Sequence, residues 1–205
     1  MSLISIAQNV AVNVGLEKPT TAEGSDATVQ KLVRFINDAG DELARRVDWS
    51  NLTKTLAITG DGTNSAFDLA SDHARLSPGL SVTVDGNPLR GGISADEWFS
   101  LTPTEGTPRY FRILGRTISF YPYPADGKTG SVSYQSDRWA QNSDGQAIGG
   151  MMSNDDVALI PEDLIAKGAI WRWRRHDGRD FGDYLAEFEA ALVDYAKAEG
   201  GVRQP

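Results

Sequence analysis

The stretch 161–200 constrains the fold more than any other part of the sequence. Pro161, Glu162 and Asp163 predict a helix start, because proline is tolerated there and acids favour the unpaired N–H groups of the first turn. Gly178 predicts its end, and Asp180 with Asp183 resembles a capping pair for a second helix. That second helix carries apolar side chains at spacings of three and four residues, namely Phe181, Leu185, Phe188, Leu192 and Tyr195. Such a hairpin needs a partner surface from elsewhere in the chain.

Two segments near the start have a matching helical period. Residues 3–14 present one narrow apolar face and stop at Gly15, and Ser25 or Asp26 can cap a longer helix after a loop. The apolar face of the longer helix is formed by Thr28, Leu32, Ile36, Ala39, Leu43 and Val47. Gly40 inside it indicates either a close helix crossing or a tolerated weakness.

The central part of the chain changes to an alternating pattern. Apolar residues alternate with polar ones over 52–58 and 80–84, and turn sequences follow at 60–64 and 85–88. Further strand and turn signals over 110–134 predict a meander. The central part therefore forms a small antiparallel β module in this prediction.

These patterns predict an α+β fold class, a helical bundle from N- and C-terminal helices with an inserted small antiparallel β module. The predicted segments are N-terminal helices at 1–50, the β module at 51–139, a glycine-rich polar loop at 140–160, and a hairpin with a short tail at 161–205. Met151 in the loop is expected to act with Met152 as a packing tether. No apolar run approaches the roughly 18 residues of a membrane span, and no secretory signal is expected.

Catalytic and cofactor-binding patterns are absent from the sequence. Lys128 follows a glycine but lacks the earlier glycine of a phosphate loop, and His73 and His176 have no metal-ligand spacing. Carboxylate pairs such as Asp155 with Asp156 could act as acid and base in a hydrolase, but 28 acidic residues produce such pairs by chance. We predict no enzyme, no cofactor and no metal site.

The most unusual local composition is the run of tryptophan and arginine over 171–179. Such a run suits phosphate contact and base stacking in a nucleic-acid groove, anchoring at a protein interface, or ordinary packing at a helix end. A net charge of −8 and a pI near 4.8 argue against a surface that grips nucleic acid as a whole. The candidate protein-interface residues are Trp171, Trp173, Arg174, Arg175, Arg179 and Arg203.

Two parts of the second half resemble a known family. The β segment 110–124 with the strand at 132–134, and the hairpin formed by 160–171 and 180–195, resemble the head-to-tail adaptor proteins of tailed bacteriophages. The resemblance implies a structural virion protein, with about twelve copies in a ring. The resemblance further implies that this ring sits under the portal at the head-tail junction, extends the DNA channel and provides the platform for tail attachment.

The resemblance also sets the expected partners. They are the portal protein, tail or head-completion proteins and other copies of the chain, with DNA passing without specific binding. The resemblance implies neither a membrane nor a cofactor, and it implies assembly in the host cytoplasm. The alternative is a carbohydrate- or protein-binding module that acts as a soluble monomer, suggested by the aromatic residues Tyr110, Phe120, Tyr121 and Tyr123.

Overall fold

Most helical residues lie toward the two ends of the chain. The computed structural model describes residues 2–79 and 81–199. Its α-helices are α1 (Leu3–Val14), α2 (Ala27–Arg46), α3 (Ala95–Ser100), α4 (Glu162–His176) and α5 (Gly182–Ala198). The chain divides into two compact units: the described residues of Met1–Leu52 with Asp137–Pro205, which we call the helical unit, and Thr53–Ser136, which we call the β domain.

The four long helices predicted from periodicity are confirmed. The Asp26 side chain accepts hydrogen bonds from the backbone N–H groups of Thr28 and Val29 and so caps α2. The predicted capping pair of Asp180 and Asp183 is wrong: the N-cap position of α5 is Phe181, without a side-chain cap. The Asp180 carboxylate instead accepts the backbone N–H of Gly182 at 3.1 Å.

Helix α4 is the centre of the helical unit, because α1, α2 and α5 all pack against it. Its buried residues lie on more than one face: Leu164, Ile165, Ala166, Gly168, Ala169, Ile170 and Trp173. Complete burial of a leucine or isoleucine side chain contributes about 1.5–3 kcal/mol. The apolar faces of the terminal helices therefore complete one shared core.

Two glycines permit close packing in this core. A Cβ on Gly168 of α4 would lie 2.8 Å from the Cβ of Ala39 on α2, so the absence of a side chain lets these helices approach. A Cβ on Gly40 would overlap the indole ring of Trp139. Gly40 therefore leaves the space into which the buried Trp139 ring packs, and it does not mark a helix crossing.

The β domain begins directly after a 3-10 turn at Ser50–Leu52. Its strands are β1 (Thr53–Thr59), β2 (Ala66–Asp68), β3 (His73–Leu76), β4 (Val82–Val84), β5 (Asn87–Pro88), β6 (Glu105–Gly106), β7 (Tyr110–Leu114), β8 (Thr117–Tyr121), β9 (Tyr123–Pro124) and β10 (Thr129–Ser136). Residue Leu80, which the sequence analysis placed at the start of a strand, lies outside the described residues.

Strand β10 organises the largest sheet. It pairs with β1 along one edge, from Thr53 opposite Gln135 to Thr59 opposite Thr129. On its other edge β10 pairs with β3 and β4, and β5 continues the sheet beyond β4. Strands β2, β8 and β7 form a separate antiparallel sheet, and β6 with β9 forms a parallel pair.

The predicted fold class is wrong about the β part. Strands make up about 25% of the residues against about 37% in helices, and they form several sheets. The β domain is large and has a hydrophobic core of its own, formed by Ile58, Leu69, Val82, Val84, Ile118, Phe120 and Val132. Its strand content and number of sheets were underestimated because strands of two to five residues look alike in a local pattern, whether they form one meander or several sheets.

A buried carboxylate stabilises the β domain near the end of β10. Asp72 accepts hydrogen bonds from Lys54 Nζ at 2.6 Å, Ser136 Oγ at 2.8 Å and the Tyr134 hydroxyl at 2.9 Å. Burial alone would raise the pKa of Asp72, but these hydrogen bonds together outweigh burial and lower that pKa from 3.8 to about 2. Asp72 therefore stays ionised and joins three separate strands or loops.

The stretch 140–160 of the helical unit contains three short strands: β11 (Ala140–Gln141), β12 (Ala147–Ile148) and β13 (Val157–Ala158). Strand β11 pairs with both of the others. Met151 is fully buried, and its backbone N–H and C=O are both hydrogen-bonded to the Asn37 side chain of α2. Met152 is 81% exposed, so only Met151 is a packing tether.

Candidate protein interface

The last turn of α4 carries the tryptophan and arginine run. Glu162 and Asp163 occupy the first turn of this helix, whereas Arg174, Arg175 and His176 occupy its last turn. This arrangement places each charge at the helix end whose dipole it complements. It also concentrates basic side chains at one end of an otherwise acidic helical unit, which contains 12 Lys and Arg against 20 Asp and Glu over 2–52 and 137–199.

Trp171 is half-buried between aromatic rings of α5 and its flank. Its ring centroid lies 6.5 Å from those of Phe181 and Phe188, and the Arg172 guanidinium lies 4.4 Å from the Trp171 ring centroid. The Trp171 Nε1 atom is buried and has no acceptor among the described residues. An unsatisfied buried donor costs about 1–3 kcal/mol, so this site is incompletely satisfied in the single chain.

Trp173 belongs to the core. It is 5% exposed, its ring packs edge-on against Phe35 with centroids 6.0 Å apart, and its Nε1 donates to the Asp177 carboxylate at 3.2 Å. The Lys31 ammonium lies 5.9 Å from its ring centroid. Trp173 therefore joins α2 to α4 beneath the basic side chains and does not itself offer a large exposed surface.

Arg174 and Arg179 fix the turn between α4 and α5. Arg174 Nε donates to the backbone carbonyl of Asp180 at 2.8 Å, and its guanidinium lies 4.1 Å from the ring centroid of Tyr184. Arg179 Nη1 donates to the Val14 carbonyl at 3.2 Å, which ties the turn to the end of α1. Both arginines have fixed positions, so this surface is pre-organised.

Arg175 and His176 are exposed and lie at the rim of a cleft of about 370 Å³. We call it the basic cleft, and it is lined by Phe35, Asp38, Trp171, Arg172, Arg175 and His176. The guanidinium of Arg175 has no carboxylate partner among residues 2–79 and 81–199. Asp38 lies 3.9 Å from Arg34, and the sixth candidate, Arg203, lies outside the described residues.

A row of alternating charges fixes the helices beside this cleft. Arg172 on α4 is hydrogen-bonded to Glu42 on α2, and Arg46 Nη1 donates to Glu42 at 2.9 Å and to Glu189 of α5 at 2.7 Å. The hydrogen bond to Glu189 is the main cause of the raised pKa of Arg46, and it lowers the pKa of Glu189 in return. The network was not visible in the sequence, because its members come from three distant helices.

The structure brings five of the six candidates to one end of the helical unit, in three environments. Trp173 is in the core, Trp171, Arg174 and Arg179 are held by contacts, and Arg175 is open to solvent. Sequence reasoning missed the α2 wall of the cleft. This wall is formed by Phe35 and Asp38, and no sequence pattern pointed to Asp38.

The acidic side chains considered as possible catalytic groups form hydrogen bonds within local turns. The Asp156 carboxylate accepts the backbone N–H groups of Met152 and Ser153 at 2.7 and 2.8 Å, and Asp61 accepts those of Thr63 and Asn64 in a tight turn. Within the described ranges no group of three or more metal-ligating side chains could hold a metal ion. None of the described helices combines the length and apolar character of a membrane crossing.

The aromatic β segment does not form an exposed aromatic face. Phe120 is 1% exposed within the β-domain core, while Tyr110, Tyr121 and Tyr123 are half-buried. The most exposed aromatic side chain of the β domain is Phe99 of α3, at 77%. Tyr110 and Tyr121 lie opposite each other on β7 and β8, but each is partly covered, and Phe120 is not available for stacking.

The model of the SU10 adaptor protein family matches residues 1–205, so the chain belongs to this family. The resemblance to phage head-to-tail adaptors is thereby confirmed, and the protein is a phage adaptor with a structural role. No curated protein matches the chain.

Proposed function

We propose that this adaptor forms a ring of about twelve copies under the portal of a phage head. In this position it extends the DNA channel and provides the platform to which the tail or head-completion proteins attach. Membership of the adaptor family is the observation that carries the proposal. The proposed site of action is the head-tail junction of the virion, after assembly in the host cytoplasm.

The charge distribution supports passage of DNA without specific binding. The helical unit has a net charge of −8 over residues 2–52 and 137–199, and the β domain has 7 basic against 8 acidic residues. A channel wall with this balance offers few sites for phosphate, whereas tight DNA binding requires many Lys and Arg contacts. The acidic composition is therefore compatible with a channel through which DNA passes.

The end of α4 is the proposed protein interface. Arg175 is the contact residue, because it is exposed and without a carboxylate partner among the described residues. Trp171, Arg174 and Arg179 shape the surface around it, and Trp173 supports it from the core. Arg203 remains a proposed contact residue in the part of the chain that the structure does not describe.

We also propose that the chain has no enzymatic activity. This follows from the structural role of the family and from the way acidic side chains serve caps and turns. A hydrolase that used these carboxylates would need a pair aimed at a common substrate. The Asp156 carboxylate instead accepts two backbone N–H groups.

Gold-labelled antibody against the chain, applied to purified phage particles, tests the proposed function. We expect label at the head-tail junction in electron micrographs. Particles made without the chain should have filled or leaking heads that lack tails, and supplying the chain should restore tail attachment. Label confined to the soluble fraction, with unlabelled and infectious particles, would show that the adaptor role is wrong.

A further inference from the structure

A second concave surface lies at the opposite end of α4 from the basic cleft. It is a groove of about 400 Å³, and its wall includes Glu162, Asp163 and Glu199 around the aromatic residues Trp49 and Tyr195. We call it the acidic groove, because no lysine, arginine or histidine of the described chain lines it. Asp163 and Arg175 lie on the same helix about 18 Å apart, at a rise of 1.5 Å per residue.

Hydrogen bonds and ring contacts hold the side chains of the acidic groove in place. The Tyr195 hydroxyl donates to the Asp163 carboxylate at 2.9 Å, and the hydrogen bond is the main cause of the raised pKa of Tyr195. The Glu199 carboxylate accepts the backbone N–H of Ser50 at 2.8 Å, and the rings of Trp49 and Tyr195 are 6.5 Å apart. Carboxylates therefore stand in set positions around an aromatic floor.

The two surfaces are complementary in charge and composition. The basic cleft offers Arg175 and His176, and the acidic groove offers carboxylates beside the partly exposed ring of Tyr195, which can receive a guanidinium. One chain thus carries both complementary surfaces. They lie at opposite ends of α4, so they cannot contact each other within the same chain.

We propose that the basic cleft of one copy binds the acidic groove of the next copy. This inference rests on the proposed ring and names the surfaces that join its subunits. The contact is heterologous, since two different patches meet, and repeated heterologous contacts close into a ring when the rotation between copies allows it. The attraction between exposed arginines and carboxylates weakens as salt screens them.

Two charge reversals test this contact in the full-length chain. Arg175→Glu changes the basic cleft, and Glu199→Lys changes the acidic groove. Each variant alone should self-associate at least about tenfold more weakly than the parent protein, because like charges then face each other. An equimolar mixture of the two variants should recover association, since the introduced glutamate meets the introduced lysine at alternate contacts and the native pair forms at the others.

Assembly mass is measured by analytical ultracentrifugation at about 0.05 and about 0.5 M NaCl, where screening differs strongly. Arg45→Glu is the matched control, because Arg45 is exposed on α2 and lines neither surface. Thermal unfolding by circular dichroism separates lost folding from lost association. The proposal is wrong if the parent protein is monomeric in low salt, if the mixture stays monomeric, or if the control weakens association equally.

Incorporation into particles separates this inference from the proposed function. Gold label at the head-tail junction, together with normal incorporation of Arg175→Glu, would leave the adaptor role standing and refute the contact. Absence of label from all particles would refute the adaptor role itself. Loss of junction label in Arg175→Glu and Glu199→Lys, but not in the control, is the result that we expect.

Discussion

Helix propensity and packing make opposite predictions at Gly40. Alanine is favoured over glycine in a helix interior by about 1 kcal/mol, so propensity alone predicts that Gly40→Ala stabilises α2. The added Cβ, however, would overlap the Trp139 ring, with the Cε2 atom only 2.6 Å away. One of the two groups must therefore move.

Trp139 has little freedom to move. Its side chain is fully buried, and its Nε1 donates to the Asp41 carboxylate at 2.8 Å. Overpacking of a core costs about 1–3 kcal/mol, and a weakened hydrogen bond adds about 1 kcal/mol. After the propensity gain is subtracted, we expect Gly40→Ala to lower the free energy of unfolding by about 1–3 kcal/mol.

Urea unfolding followed by far-ultraviolet circular dichroism measures this change. Gly182→Ala is the matched control, because Gly182 is also helical and its added Cβ would meet only Asp180 Oδ1, at 3.6 Å. There we expect a change of no more than about 0.5 kcal/mol, since Gly182 is the first residue of α5 and no atom has to shift. If Gly40→Ala is as stable as the parent protein or more stable, the argument that Gly40 makes room for the Trp139 indole is wrong.

Three further predictions concern stability. At pH values above the unfolded pKa of Asp72, about 3.9, its lowered folded-state pKa contributes about 2 kcal/mol to the free energy of unfolding. This contribution is lost as the pH falls toward 2. The difference in the free energy of unfolding between Asp72→Asn and the parent, measured in urea, should therefore decrease from pH 7 to pH 3. A constant gap would contradict this. Trp173→Ala should cost about 3–5 kcal/mol in thermal unfolding, against about 0.5 kcal/mol for Arg175→Ala; similar losses would contradict the assigned burial. A double-mutant cycle of Arg46→Ala and Glu189→Ala should give a coupling free energy of about 0.5–1 kcal/mol that decreases with salt concentration. A coupling of zero would show that this ion pair does not stabilise the fold.

The helices could be predicted because their evidence is local. In α5 the buried Phe188 and Leu192 lie one helical turn apart, so a short window of sequence contains the whole pattern. The cap at Asp26 is equally local, since it bonds residues two and three positions ahead. The missing cap of α5 shows that spacing alone does not decide which acid bonds which N–H group.

The division of the β domain into several sheets could not be predicted in the same way. Strand β10 takes partners from distant positions in the sequence on both edges, and Asp72 accepts a hydrogen bond from Ser136, which lies 64 residues further along the chain. An alternating pattern gives the faces of a strand but not its neighbours. The candidate interface was predictable as a run of residues, whereas the burial of Trp173 and the exposure of Arg175 depend on where α2 packs.

The β domain begins and ends on neighbouring strands, with Thr53 opposite Gln135. Paired Cα atoms of antiparallel strands lie about 5 Å apart, so the chain leaves and re-enters the helical unit at nearly one point. Replacing Thr53–Ser136 by a short turn would therefore demand no new path for the four packed helices. The domain is therefore a self-contained insertion, whose two ends meet on the adjacent strands β1 and β10.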